Sequence, residues 1–151
     1  MSESGTLGRP AEILLVEDNG DDALLAQHAF AKVELPHQLR FVSDGEQALA
    51  LLRKQGEFQA APRPDLILLD LNMPGTDGRE VLKQVKDDND LRRIPVVVLT
   101  TSESQIDLIL TYNAHANAYL VKPLDFDEWK KLVEGLMHFW FRMVKHPPIL
   151  G

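Results

Sequence analysis

The chain has 151 residues, 44% of them hydrophobic, and a formal net charge of -7. That length suits one domain with a real core; the acidic balance argues against nonspecific nucleic-acid binding, and no apolar run approaches the ~18 residues that a membrane span needs. The absence of cysteine excludes disulfides and thiolate metal sites and fits a cytoplasmic address.

Residues 1–10 are small and polar, lack a basic-then-apolar signal pattern, and read as a disordered lead. Ile13-Leu14-Leu15-Val16 is a short continuous apolar run, the pattern of a strand covered on both faces. Over 21–32 the apolar residues take helical spacing, with Leu24, Leu25, His28 and Ala29 on one side. Asp21 and Asp22 fall in the first turn, where the helix dipole favours negative charge. A second strand is expected over 38–42. Ser43-Asp44-Gly45-Glu46 then reads as a capping box that opens a helix through Ala48, Leu49, Leu51 and Leu52.

Residues 56–64 form a loop with two prolines, 65–69 a third strand, and 77–87 a helix. A fourth strand starts at Pro95 and runs through Val96-Val97-Val98-Leu99 into Thr100-Thr101. Ser102 and Gln105 again have capping-box spacing, ahead of Ile106, Ile109 and Leu110. The fifth strand, over 117–121, is short. A final helix opens near Asp125 with Trp129, Leu132, Val133, Leu136, Trp140, Met143 and Val144 on one stripe. Five strand-then-helix units predict an α/β domain, a doubly wound parallel sheet with helices on both faces. Periodicity leaves the strand order open.

In a parallel sheet all strand exits lie along one edge. Here Glu17-Asp18 follow the first strand, Asp70 ends the third, Thr100-Thr101 end the fourth and Lys122-Pro123 follow the fifth. Three carboxylates and an ammonium at one edge suit a divalent cation and a phosphoryl group. Mg²⁺ takes oxygen ligands and keeps several waters. Asp18 and Asp70 can each give it an oxygen, Glu17 can hold a coordinated water, and the Asn72 carbonyl lies near. With that charge neutralised, Asp70 can attack phosphorus, while Lys122, Thr100 and loop amides take the equatorial oxygens. Singly, each residue has a plainer explanation: turn chemistry for Glu17-Asp18, a helix cap for Asp70, a solvated loop lysine for Lys122. Their joint occurrence at successive strand exits carries the argument.

Leu14-Leu15-Val16-Glu17-Asp18-Asn19, Leu68-Leu69-Asp70-Leu71-Asn72-Met73-Pro74-Gly75, Val98-Leu99-Thr100 and Tyr119-Leu120-Val121-Lys122-Pro123 resemble the signatures of the bacterial response-regulator receiver domain, over residues 11–137. The resemblance implies a flavodoxin-like (βα)5 sheet of order 2-1-3-4-5. It makes Asp70 the phosphoacceptor, Glu17 and Asp18 the acidic pair for Mg²⁺, Thr100 the switch hydroxyl, Lys122 the phosphate-binding lysine and Tyr119 the rotating aromatic. It also implies a cis Lys122–Pro123 bond. The partner it implies is a sensor histidine kinase, with the receiver catalysing its own phosphotransfer and autodephosphorylation rather than acting as a dedicated enzyme.

Residues 138–151 extend the last helix and are expected to end the chain without a DNA-binding or catalytic effector. Phe139, Trp140, Phe141 and Met143 crowd into five residues, more than one helix face buries, and so mark a homodimer interface. The loop before the third strand and the Phe139-Trp140 ending resemble the regulators that partner phytochrome histidine kinases. Two other functions fit less well. A haloacid-dehalogenase-like phosphatase needs an acid where Asn72 stands, and a constitutive dimeric adaptor would leave Asp70 without a role.

Overall fold

A computed structural model describes residues 8–71, 78–100 and 116–143. Strands β1 (Ala11–Val16), β2 (His37–Val42), β3 (Leu66–Asp70), β4 (Val96–Thr100) and β5 (Ala118–Val121) form one parallel sheet of order β2-β1-β3-β4-β5. Helices α1 (Gly20–Ala31), α2 (Gly45–Leu52), α3 (Gly78–Asp87) and α4 (Phe126–His138) follow β1, β2, β3 and β5. The receiver order expected from the resemblance is the one observed. The helix expected from Ser102 lies outside the described residues.

The unbroken apolar runs of β1, β3 and β4 divide strictly by parity. Leu14, Val16, Ile67, Leu69, Val96 and Val98 pack with Ala48, Leu49, Val81, Leu82 and Val85 of α2 and α3. Ile13, Leu15, Leu66, Leu68, Val97 and Leu99 pack with Ala26, Ala29, Phe30, Trp129, Val133 and Met137 of α1 and α4. A strand buried on both faces needs apolar residues at every position, which is why these three show no alternation.

Three helix starts are capped by side chains. Asn19 accepts from Asp22 N, Asp44 from Gln47 N and Asp125 from Glu128 N. The cap of α2 sits one residue later than Ser43: Asp44 is the cap, and the Gln47 side chain reaches back to Ser43 N at 3.3 Å. The apolar stripe of α1 is also rotated from expectation. Its buried residues are Ala23, Ala26, Ala29 and Phe30, while Leu24 is 52% exposed and His28 is exposed. Small residues let α1 approach α4 and the sheet closely, and the larger leucine is left outside.

Two segments expected to be peripheral are fastened to the core. Arg9, in the expected disordered lead, makes a bidentate ion pair with Asp65 at 2.7 and 2.8 Å, and Asp65 also accepts from Glu12 N. Beyond α4 the chain continues as a π-helical turn over Phe139–Met143, in which Phe141 is fully buried against the α1/α4 side of the core. The expectation that Phe141 joins an exposed interface is therefore corrected. Phe141→Ala is expected to cost about 3 kcal/mol, as deletion of a buried aromatic does, read as a lower midpoint in urea at unchanged slope; a loss below ~1 kcal/mol would mean that the turn packs only loosely.

Candidate functional site

The sheet register assembles the site. Val16 pairs with Leu69, Asp70 with Leu99 and Thr100 with Val121, so Glu17 and Asp70 leave their strands level, with Thr100 one residue and Lys122 two residues further along the same edge. Main-chain bonds continue the ladders past the strand ends: Lys122 N donates to Thr100 O at 3.0 Å, Leu71 N to Leu99 O at 3.2 Å and Glu17 N to Val42 O at 3.1 Å. Gly78 opens α3 directly against this edge, donating its N–H to Leu71 O. A Cβ there would overlap the Asp70 carbonyl oxygen and stand 2.5 Å from Leu71 Cα. Only glycine permits that approach.

Glu17, Asp70, Thr100 and Lys122 are the buried polar side chains of the described residues, each 6% exposed or less. Lys122 Nζ lies 2.7 Å from Glu17 Oε1, 3.0 Å from Asp22 Oδ2 and 3.3 Å from Asp70 Oδ2. Burial pulls the Lys122 ammonium toward neutrality, but hydrogen bonds to Glu17 and Asp22 and the charges of Glu17 and Asp70 outweigh it and hold its pKa above the ordinary lysine value. The Glu17 carboxyl moves the other way. Burial, with a hydrogen bond to Asp70, pushes it up to about 8 against the pull of Lys122. Asp18, exposed at the rim, is also raised, by desolvation and by the charge of Asp70. One ammonium does not neutralise this many carboxylates, so the metal-free site favours holding a proton.

The excess charge fits a divalent cation. Glu17, Asp18 and Asp70 each present an oxygen, and these lie within 4.8 Å of one another. Glu17 Oε1 is buried and, besides the Lys122 ammonium at 2.7 Å, has no hydrogen-bond donor among the described residues. A hard oxygen set with an unsatisfied buried lone pair is the donor chemistry of Mg²⁺, Mn²⁺ or Ca²⁺ sites.

Glu17, Asp18, Asp70 and Lys122 thus lie together at one sheet edge, with buried Thr100 ending the neighbouring strand. Asn72 lies outside the described residues. Tyr119 is half-buried on β5, opposite Val98, and packs on the α2/α3 side of the core. The Lys122–Pro123 peptide is trans, as are all described peptides, which corrects the cis expectation. The trans preference before proline is only ~0.5–1 kcal/mol, so local context decides, and Lys122 reaches the cluster from the trans form. Asp22 joins the site through Lys122. In the sequence it falls close to Glu17 and Asp18, and of the acidic pair Asp21-Asp22 it is the one in contact with the ammonium.

The chain belongs to the response regulator receiver domain family, whose pattern it matches over residues 13–134. It is 47% identical over 138 residues to response regulator Rcp1 of Synechocystis sp., covering 91% of this chain and 94% of that protein. The Mn²⁺-bound crystal structure of Rcp1 superposes with a TM-score of 0.84, covering 92% of this chain and 100% of the other. The phosphorylated cyanobacterial phytochrome response regulator RcpA, at 45% identity, gives 0.87 over 92% and 99%. The probable methanogenesis regulatory protein FilR2 of Methanothrix harundinacea is 44% identical over 139 residues, 91% of this chain and 88% of that one. A receiver that binds a divalent cation is a component of two-component signalling, and a histidine kinase is its partner.

Proposed function

We propose that this chain is a response regulator whose Asp70 accepts a phosphoryl group from a sensor histidine kinase of the phytochrome type, with Mg²⁺ as the cation. The observation that carries the proposal is Lys122 Nζ at 3.3 Å from Asp70 inside a buried carboxylate cluster. Likeness to RcpA, a phytochrome response regulator, supports the partner. The cation would be held by Glu17, Asp18 and Asp70, with Asn72 as the family resemblance implies, and would supply charge neutralisation for the carboxylates and for the transferred group.

The other steps belong to the chain. An Asp70 oxygen attacks the phosphorus of the phosphohistidine as the P–N bond breaks and the imidazole nitrogen keeps the electron pair. Lys122 takes one phosphoryl oxygen and the Thr100 hydroxyl another. The product is a labile acyl phosphate, which the same site releases to water. Thr100 moves toward the phosphoryl group, and Tyr119 turns inward against the space it leaves. Their adjacency supports this: Thr100 pairs with Val121, two residues after Tyr119. One local charge change thereby biases a two-state packing element.

Intact mass after incubation with acetyl phosphate and Mg²⁺ tests the chemistry. The wild type is expected to gain one phosphoryl group, ~80 Da, and Asp70→Asn none. An equal gain in both would move the acceptor elsewhere.

The output surface we propose is a homodimer through the C-terminal turn. Phe139 is 51% exposed and meets Trp140 edge-on at 5.8 Å, and Leu124 and Val121 are exposed as well. Phe141 is not part of it. Sedimentation is expected to show a dimer that Phe139→Asp weakens at least tenfold; a monomer at every concentration, with and without phosphate, removes the proposal. No helix among the described residues is long and apolar enough to cross a membrane. We place the protein in the cytoplasm, acting without direct contact to nucleic acid.

A further inference from the structure

The Lys122 ammonium has three N–H donors and three carboxylates within reach, and its two shortest contacts are to Glu17 and Asp22 rather than to Asp70. These contacts differ in kind. Glu17 and Asp70 belong to the oxygen set that fits a cation, with Asp18; Asp22 does not. With a cation held by Glu17, that carboxylate would be shared away from Lys122, and one N–H of the ammonium would be left to face Asp70. Asp22 is the contact left to hold the ammonium in place while this happens. It is well supported for that task. It sits in the first turn of α1, its N–H bonded to the Asn19 side chain at 3.0 Å, with the Ala23 N–H bonded to Asn19 O at 2.9 Å. The lysine stem is long and flexible, so an ammonium without that lateral contact samples positions that miss the phosphoryl oxygen.

We propose that Asp22 is a positioning residue for Lys122: its carboxylate, carried on the first turn of α1, keeps the ammonium beside Asp70 when the cation occupies Glu17. This rests on the phosphoacceptor assignment of Asp70. Asp22 is not part of the oxygen cluster that would hold the cation.

The test is the initial rate of phosphorylation by acetyl phosphate at saturating Mg²⁺, in wild type, Asp22→Ala, Asp22→Asn, Lys122→Ala and the Asp22→Ala/Lys122→Ala double variant. Asp22→Ala is expected to be five- to tenfold slower. Asp22→Asn, which keeps an acceptor oxygen, is expected within threefold of wild type. In the Lys122→Ala background, Asp22→Ala is expected to have no further effect, because its action runs through that lysine. Three results overturn the proposal: an Asp22→Ala rate at or above wild type, an Asp22→Asn rate as low as Asp22→Ala, or the same five- to tenfold loss without Lys122. A second readout needs no phosphorylation. With lysine ¹⁵N-labelled and Mg²⁺ present, the Lys122 ammonium signal is expected in wild type and Asp22→Asn and broadened away in Asp22→Ala. An unchanged signal in Asp22→Ala counts against the positioning role alone. Failure of the wild type to be phosphorylated, with the ammonium result as expected, counts against the Asp70 assignment alone.

Discussion

Lys122→Met is expected to slow phosphorylation of Asp70 about a hundredfold or more and to make the fold depend on a divalent cation. Methionine keeps most of the stem volume, so the variant isolates the charge. Its removal takes away the ammonium that Glu17, Asp22 and Asp70 all contact, in a site where Glu17 and Asp70 are almost wholly buried. Removing one partner of a buried ion pair costs roughly 3–5 kcal/mol, because the remaining charge stays desolvated. For a domain of this size that lowers the melting temperature by about 6–20 °C. The loss is expected in full with a chelator and reduced by about half with excess Mg²⁺, since a cation among the same oxygens replaces part of the missing positive charge. The rate loss has a separate origin. A preorganised charge aimed at a transferring group contributes on the order of 10²–10³ in rate. Calorimetry in both conditions, beside the phosphorylation rate, checks the pair of effects. A melting loss identical with chelator and with Mg²⁺ would separate the lysine from the cation site.

What was legible in the sequence was what depends on local pattern. Continuous apolar runs announced β1, β3 and β4, and a parallel sheet brings strand exits together, so Glu17, Asp70, Thr100 and Lys122 could be joined before any coordinates. What was not legible depends on phase or on distant partners. In α1 the helical period is satisfied by Leu24, Leu25 and His28 as well as by Ala23, Ala26 and Phe30. The choice between them is made by α4, which packs close enough to prefer alanine. At the other end, the stripe through Trp129, Val133 and Met137 assumes an α-helical repeat. The π-helical turn over Phe139–Met143 rotates less per residue, which keeps Phe141 on the face of Met137 and buries it. Arg9 and Asp22 each look like surface charges until their partners, Asp65 and Lys122, are brought beside them by the fold. No spacing rule reaches that far along the chain.

The affinity for a divalent cation is expected to rise roughly 10- to 100-fold between pH 6 and pH 8 and to level off above that. Glu17 sets the window. Burial and the hydrogen bond to Asp70 raise its metal-free pKa to about 8, so below that pH a cation must displace a proton to use the carboxylate. The same shift fixes the sign of metal-free stability. From about pH 4.5 to pH 8 the folded chain holds a proton at Glu17 that the unfolded chain has released. Folding stability therefore falls as pH rises through that interval, and is level above it. Lys122 does not offset this. Its raised pKa contributes stability that is fully present below the ordinary lysine value and lost only at higher pH. Asp18, raised in the same direction as Glu17, adds to the slope at the acid end. With the cation bound, Glu17 is ionised throughout the upper part of the window and the fall is removed. Calorimetric titration of Mg²⁺ at four pH values, in buffers of different ionisation enthalpy, counts the protons released directly. Wild type is expected to release close to one proton at pH 6–7 and few at pH 9, and Glu17→Gln to lose that dependence together with most of its affinity. A Mg²⁺ affinity that stays flat from pH 6 to pH 8 in the wild type would mean that Glu17 is already ionised in the metal-free site, with Lys122 outweighing burial.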